Sequence, residues 1–212
     1  MDYVIVLHGI LLNANYMKVL ASYIGAKGYS VININYPSTQ KNLEELVESV
    51  WIDISSQLIE NKPVHFICYS MGGLLVRAML NKYRPLMLGR VVLIGTPNNG
   101  SEIADFLKNN WFYKKIFGPA GQQLITDQSN IKHLFGIIDY DLGIIAGSMS
   151  LDPICSRLIK EKNDGKVSIT STKLAGMKDH IIIKSSHMFL PYSKQVLSQT
   201  VYFLQHGSFF RP

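Results

Sequence analysis

The stretch "HFICYSMGGLLVRAML", residues His65 to Leu80, changes its period partway along. Its first half, with Val64 before it, is a continuous apolar run ending at Cys68, which suits a strand buried on both faces. From Met71 to Tyr83 the apolar residues recur with helical spacing. Ser70 stands at the junction, with Gly72 and Gly73 just behind it. A strand that passes into a helix through so short a bend is a unit of an α/β sheet, and the rest of the chain repeats it. Further apolar runs lie at Val4–Leu7, Val31–Ile34, Val91–Ile94, Gly143–Ala146 and His180–Ile183. Between them, Leu43, Leu46, Val47, Val50, Ile54 and Leu58 fall on one helical face, with Asn42 and Glu45 spaced as a capping box. Tyr16–Ala26, stopped near Gly28, and Ser193–His206 read as further helices. Strand–helix alternation with short connections predicts a mainly parallel sheet of about six strands, covered by helices on both faces. No repeat or low-complexity linker divides the chain, so residues 1–212 are expected to form one domain.

Bulk properties agree. A chain of 212 residues, 47% hydrophobic and 17% charged, has the material for one sizeable core. No apolar run reaches the roughly 18 residues of a membrane span. Met1-Asp2-Tyr3 lacks the basic region of a signal peptide, so a cytoplasmic location is expected. Two cysteines, Cys68 and Cys155, form neither a disulfide framework nor a CxxC pair. The net charge of +6 is uneven: residues 1–150 carry 12 basic and 11 acidic side chains, and residues 151–212 carry 9 and 4. Such an excess is either a solvated basic face or an attraction for anionic lipid or an acidic ligand. No basic run with interleaved aromatics points to nucleic acid.

One stretch breaks the rhythm. Asn98 to Leu142 separates two strands by about 45 residues, far beyond an ordinary connection. It holds Trp111, Phe112, Tyr113, Phe117, Phe135 and a Gly118-Pro119 pair. It reads as an insertion, at about 98–142, that caps a site. A second break, Ser148 to Lys166, holds Pro153, Asn163, Asp164 and Gly165.

Ligands of open parallel sheets bind beyond the carboxyl ends of the strands. Ser70 falls there. A serine on a strained strand-to-helix turn exposes its hydroxyl, and small residues two before and two after it let strand and helix approach. Here those positions are Cys68 and Gly72. The plainer reading of Ser70 is an N-cap for the following helix. A serine hydroxyl needs a base to become a nucleophile, and the base needs a carboxylate to orient it. Downstream, "NDGKVSI" puts Asp164 in a turn, and "KSSHMF" puts His187 just after a strand. Both fall at the strand edge that carries Ser70, in the order serine, acid, histidine. His180 opens its strand, His206 ends the last helix, His133 sits in the insertion, and Asp179 lies at the wrong end of a strand. Asp152 stays open as a second choice for the acid.

Acyl transfer also needs donors for the developing oxyanion. The Met71 amide follows Ser70 at the helix start, and the loop "LHGILLN" after the first strand offers the Ile10 amide. Gly9 would let that loop approach the serine, and His8 could brace it.

The motifs resemble the α/β-hydrolase superfamily, and within it the small bacterial esterase/lipase-like hydrolases. The resemblance runs along nearly the whole chain: His8-Gly9-Ile10, Tyr69-Ser70-Met71-Gly72-Gly73, Gly95-Thr96-Pro97-Asn98-Asn99-Gly100-Ser101-Glu102, Gly118 to Leu124, Ile145-Ala146-Gly147, Asp164 to Ser168, Ser186 to Phe189 and Phe203 to Phe209. It implies Ser70 as nucleophile, Asp164 as acid and His187 as base, on a minimal form of the fold. This chain has Cys68 and Tyr69 where such hydrolases more usually have glycine and histidine. The implied activity is hydrolysis of carboxylic esters through an acyl-enzyme, with no metal or organic cofactor. A thioesterase or acyltransferase with the same triad, or a silent binding protein on this fold, are the alternatives. Leu11, Tyr69, Trp111 and Phe112 are the expected substrate contacts. The expected partner is a small-molecule or lipid ester, with peripheral contact to an anionic membrane surface and no nucleic acid.

Overall fold

A computed structural model describes residues 1–59, 61–151 and 157–211. The strands are β1 (Tyr3–Leu7), β2 (Ser30–Ile34), β3 (Val64–Tyr69), β4 (Leu88–Ile94), β5 (Leu142–Gly147) and β6 (Asp179–Ile183). They form one six-stranded sheet in the order β2-β1-β3-β4-β5-β6, and every pairing is parallel. The helices are α1 (Lys18–Gly25), α2 (Leu43–Gln57), α3 (Met71–Lys82), α4 (Glu102–Leu107), α5 (Trp111–Gln122), α6 (Ile169–Thr172) and α7 (Lys194–His206).

Alternation within the buried strands separates two cores. Tyr3, Ile5 and Leu7 of β1, with Phe66 and Cys68 of β3 and Val91 and Leu93 of β4, pack against α2, α3 and the insertion. Val4, Val6, Ile67, Tyr69, Val92 and Ile94 point to the other side, against α1 and α7. Both faces of the sheet are therefore apolar, which is why its strands read as continuous runs rather than as alternating ones.

The expected boundaries shift a little. The helix expected from Tyr16 begins as a 3-10 turn, Ala14–Met17, and becomes α-helical at Lys18. Asn42 and Glu45 do form a capping box on α2. The chain leaves β1 toward β2 on one side and returns to β3 on the other, so the sheet order reverses beside β1. The loops after β1 and β3 diverge at that switch point, where open α/β sheets bind ligands.

Candidate active site

Ser70 occupies a backbone that few residues tolerate, with φ 53° and ψ −125°. The turn is so tight that α3 starts against the loop after β1. A Cβ on Gly72 would lie 2.6 Å from the His8 carbonyl oxygen, closer than any side chain allows. Gly9 is small for the matching reason: a Cβ there would meet the Ser70 Cβ at 3.0 Å. Gly9 does not supply the turn itself; the positive φ in that loop belongs to Leu11, at 61°. Ser70 makes no side-chain cap bond to α3, which removes the reading of it as an N-cap.

The Ser70 hydroxyl points to a histidine instead. His187 Nε2 lies 3.1 Å from Ser70 Oγ, and His187 Nδ1 lies 2.8 Å from Asp164 Oδ2. The second oxygen of Asp164, Oδ1, accepts from the main-chain N–H of Lys166 and of Val167, at 3.0 and 2.9 Å. The His187 amide donates to the Asp164 carbonyl at 2.8 Å. Asp164 and His187 are thus joined through side chain and main chain alike. Asp164 is buried at 1% exposure, so its bond to the imidazole competes with little water. Asp152, the other carboxylate considered, lies outside the described residues.

Behind these three residues, Tyr69 donates its hydroxyl to the His187 carbonyl at 2.9 Å. Tyr16 donates to the next carbonyl, that of Met188. Burial pushes the Tyr69 phenol well up, so it stays a donor. On the other side, His8 braces the first loop. Its Nδ1 donates to the Gly9 carbonyl at 2.8 Å, and its Nε2 accepts from the Tyr36 amide at 3.3 Å. That assignment makes the imidazole neutral, and burial lowers its pKa in the same sense. The Tyr36 ring stacks on it at 4.0 Å, and its hydroxyl donates to the His8 carbonyl. The Met71 amide, in the first turn of α3, is one of the N–H groups a helix leaves without an internal partner. In the loop after β1, Gly9 lies against Ser70 and Ile10 lines the same cavity as the serine.

A cavity of about 250 Å³ opens on Ser70 and His187. Ile10, Leu11 and Tyr69 border it near the serine. Ile103, Ala104, Leu107, Tyr113, Phe117 and Leu124, all from the segment 98–142, form much of its apolar wall, and Leu12, Pro97, Val167 and Met188 complete it. Trp111 and Phe112 do not line it. They point to solvent at 61% and 65% exposure, and the expectation that they contact substrate is corrected. The reason is the angle between neighbours on a helix. Tyr113 and Phe117, four residues apart, share the inward side of α5, whereas 111 and 112 fall on the opposite side. The i, i+4 spacing of Tyr113 and Phe117 was the signal in the sequence for this part of the wall; the helix breaks just after them, at Gly118, whose φ of 62° and ψ of −163° are not helical.

Sheet order and site together define an α/β-hydrolase, a hydrolase-type enzyme. The chain belongs to the palmitoyl protein thioesterase family, whose model matches residues 3–134. That span includes Ser70 and the loop after β1 and ends before Asp164 and His187. No curated protein matches the chain. Among solved structures it is similar to the mature lipase BlEst2 of Bacillus licheniformis, with TM-score 0.76, 18% identity, and 96% of this chain and 91% of that one covered. It is also similar to the metagenomic carboxyl esterase MGS0156, with TM-score 0.75, 14% identity and coverage of 89% and 65%. The phospholipase PlaB of Legionella pneumophila has TM-score 0.67 and 16% identity; the match covers 82% of this chain and 46% of that one. At these identities the likeness is one of fold.

Proposed function

We propose that the protein is a serine hydrolase that cleaves carboxylic esters through an acyl-enzyme on Ser70. The observation that carries this reading is the relay from Ser70 Oγ to His187 Nε2 at 3.1 Å and from His187 Nδ1 to Asp164 at 2.8 Å, at the floor of an apolar cavity. In this reading His187 takes the Ser70 proton as Oγ attacks the acyl carbonyl. The amides of Ile10 and Met71 hold the oxyanion. Asp164 keeps the imidazole proton on Nδ1 and stabilises the imidazolium. Collapse expels the alcohol with the proton from His187, and water then releases the acid by the same route. The cavity takes the acyl chain. At about 250 Å³ it falls just below the usual ~300–1,000 Å³ of ligand pockets, which favours short-to-medium chains.

The family match supports a second reading, in which the acyl group arrives as a thioester. The acyl-enzyme is the same and only the leaving group differs. A fluorophosphonate probe followed by peptide mass spectrometry tests both: the adduct is expected on Ser70, and Ser70→Ala should lose adduct and turnover while keeping the fold. Full turnover by Ser70→Ala would overturn the assignment. A folded protein that neither labels nor turns over would be a binding protein on this fold. Matched oxygen and sulfur esters of one acyl chain then decide between the two leaving groups.

A further inference from the structure

The cavity uses only the inner side of α4 and α5. Their outer side carries Phe106, Trp111, Phe112 and Ile116, each between 50% and 66% exposed. Positions 111, 112, 115 and 116 share one side of α5, opposite Tyr113 and Phe117. The helix is therefore apolar on both sides, but only the inner one is packed. The Trp111 and Phe112 rings meet edge-on with centroids 4.7 Å apart, so these two exposed rings form one patch. Lys108, Lys114 and Lys115 belong to the same segment, and the Lys115 ammonium lies 5.0 Å from the Trp111 ring centroid. Among the described residues none of these lysines makes an ion pair. Two nearby carboxylates are engaged elsewhere: Asp105 accepts from Thr126, and Asp127, close enough to feel the charge of Lys108, accepts from the Ser129 amide.

Contiguous exposed apolar patches on soluble domains mark interaction sites. We propose that this outer face docks on an anionic lipid surface. Large aromatics with interspersed lysines suit a headgroup boundary, where rings enter the acyl edge and ammonium groups reach lipid phosphates. Charge selects lipid over a second copy of the chain. A two-fold contact through this face would bring the same three lysines against themselves, on a molecule already carrying +6. Among the described residues no helix is long and apolar enough to cross a membrane, so the contact is peripheral. Docking would set the bilayer against the segment whose inner side walls the Ser70 cavity. The proposal does not rest on the acyl-transfer reading, because lipid binding is measured without turnover.

The test is co-sedimentation of the full chain with vesicles of phosphatidylcholine alone or mixed with phosphatidylglycerol. Binding is expected to the mixed vesicles, weakening as salt is added. Bromine-bearing lipid should quench Trp111 fluorescence. Lys114→Glu with Lys115→Glu should lower the partition by about fivefold or more per lysine, with hydrolysis of a water-soluble short ester unchanged. Trp111→Ala with Phe112→Ala should abolish binding while far-ultraviolet circular dichroism stays that of the parent. The proposal is overturned by no binding, by equal binding to neutral vesicles, or by undiminished binding of both variants. Gel filtration in which the aromatic variant converts a dimer into a monomer would overturn it in favour of a second copy.

Discussion

The Tyr69 hydroxyl donates to the main-chain carbonyl of His187 at 2.9 Å, so the residue before Ser70 in sequence holds the main chain of the histidine that faces Ser70. Its ring also stacks on Tyr16, whose hydroxyl holds the neighbouring Met188 carbonyl. Tyr69→Phe keeps the ring and removes one donor. A buried carbonyl left without its partner should destabilise the fold by about 1–3 kcal/mol. If the bond also positions the imidazole, kcat should fall by up to about 10²-fold with KM little changed, since small displacements of a reacting group are that damaging. A lower melting temperature with unchanged kcat would reduce Tyr69 to a purely structural role.

Asp164→Asn is the sharpest test of the relay. Asparagine can still accept from Lys166 and Val167 through its oxygen, so the turn should survive. It then presents an NH₂ group to His187 Nδ1, which must accept, and the imidazole proton moves to the side facing Ser70. Turnover should drop on the order of 10⁴-fold with the acid in the wrong state. Asp152→Asn should leave turnover near the parent value. Kinetics that reversed this order would move the acid to Asp152.

Much of this could be read from residues 64–83, where a continuous apolar run gives way to a helical period across Ser70. The parallel sheet was legible because both faces of β1, β3 and β5 are buried, which leaves apolar runs with no other easy explanation. Asp164 and His187 were legible through chain order and their places after late strands. The cavity lining was legible only in part, since Leu11 and Tyr69 border it but Trp111 and Phe112 do not. Trp111 and Phe112 stand out by size in a sequence, but which side of α5 faces the cavity depends on how the insertion packs on the sheet, a long-range matter. Tyr69 presents a related difficulty. It borders the cavity, but nothing local in the sequence shows that its hydroxyl also reaches a carbonyl 118 positions distant in the chain.

Acid should weaken the fold through its buried histidines. Burial holds His8 and His65 below the usual imidazole pKa of 6.5. His8 donates from one nitrogen and accepts at the other; His65 accepts from the Arg90 amide at 2.8 Å. As pH falls through 6.5 the unfolded chain takes up protons that the folded chain refuses. Stability present above that pH is therefore lost on the way down to the folded pKa values. Urea midpoints measured from pH 7.5 to 5.5 should fall, and less steeply in His65→Gln. A midpoint that rises on acidification would mean these imidazoles are charged in the fold.

Acyl-chain preference should follow the inner side of the insertion. Ala104 is buried at 3% exposure in the cavity wall, on α4. Ala104→Leu places three more carbons where the acyl chain would lie. For soluble aryl esters, kcat/KM for a medium chain should fall by roughly 10–200-fold relative to acetate, the usual worth of one misfit methylene in an apolar pocket. Trp111→Ala with Phe112→Ala gives the complementary control: both side chains face solvent, so any change should be the same for long and short esters. A chain-length effect in that double variant, with none in Ala104→Leu, would place the acyl channel on the outer side of α5. The cavity above Ser70 would then hold the leaving group.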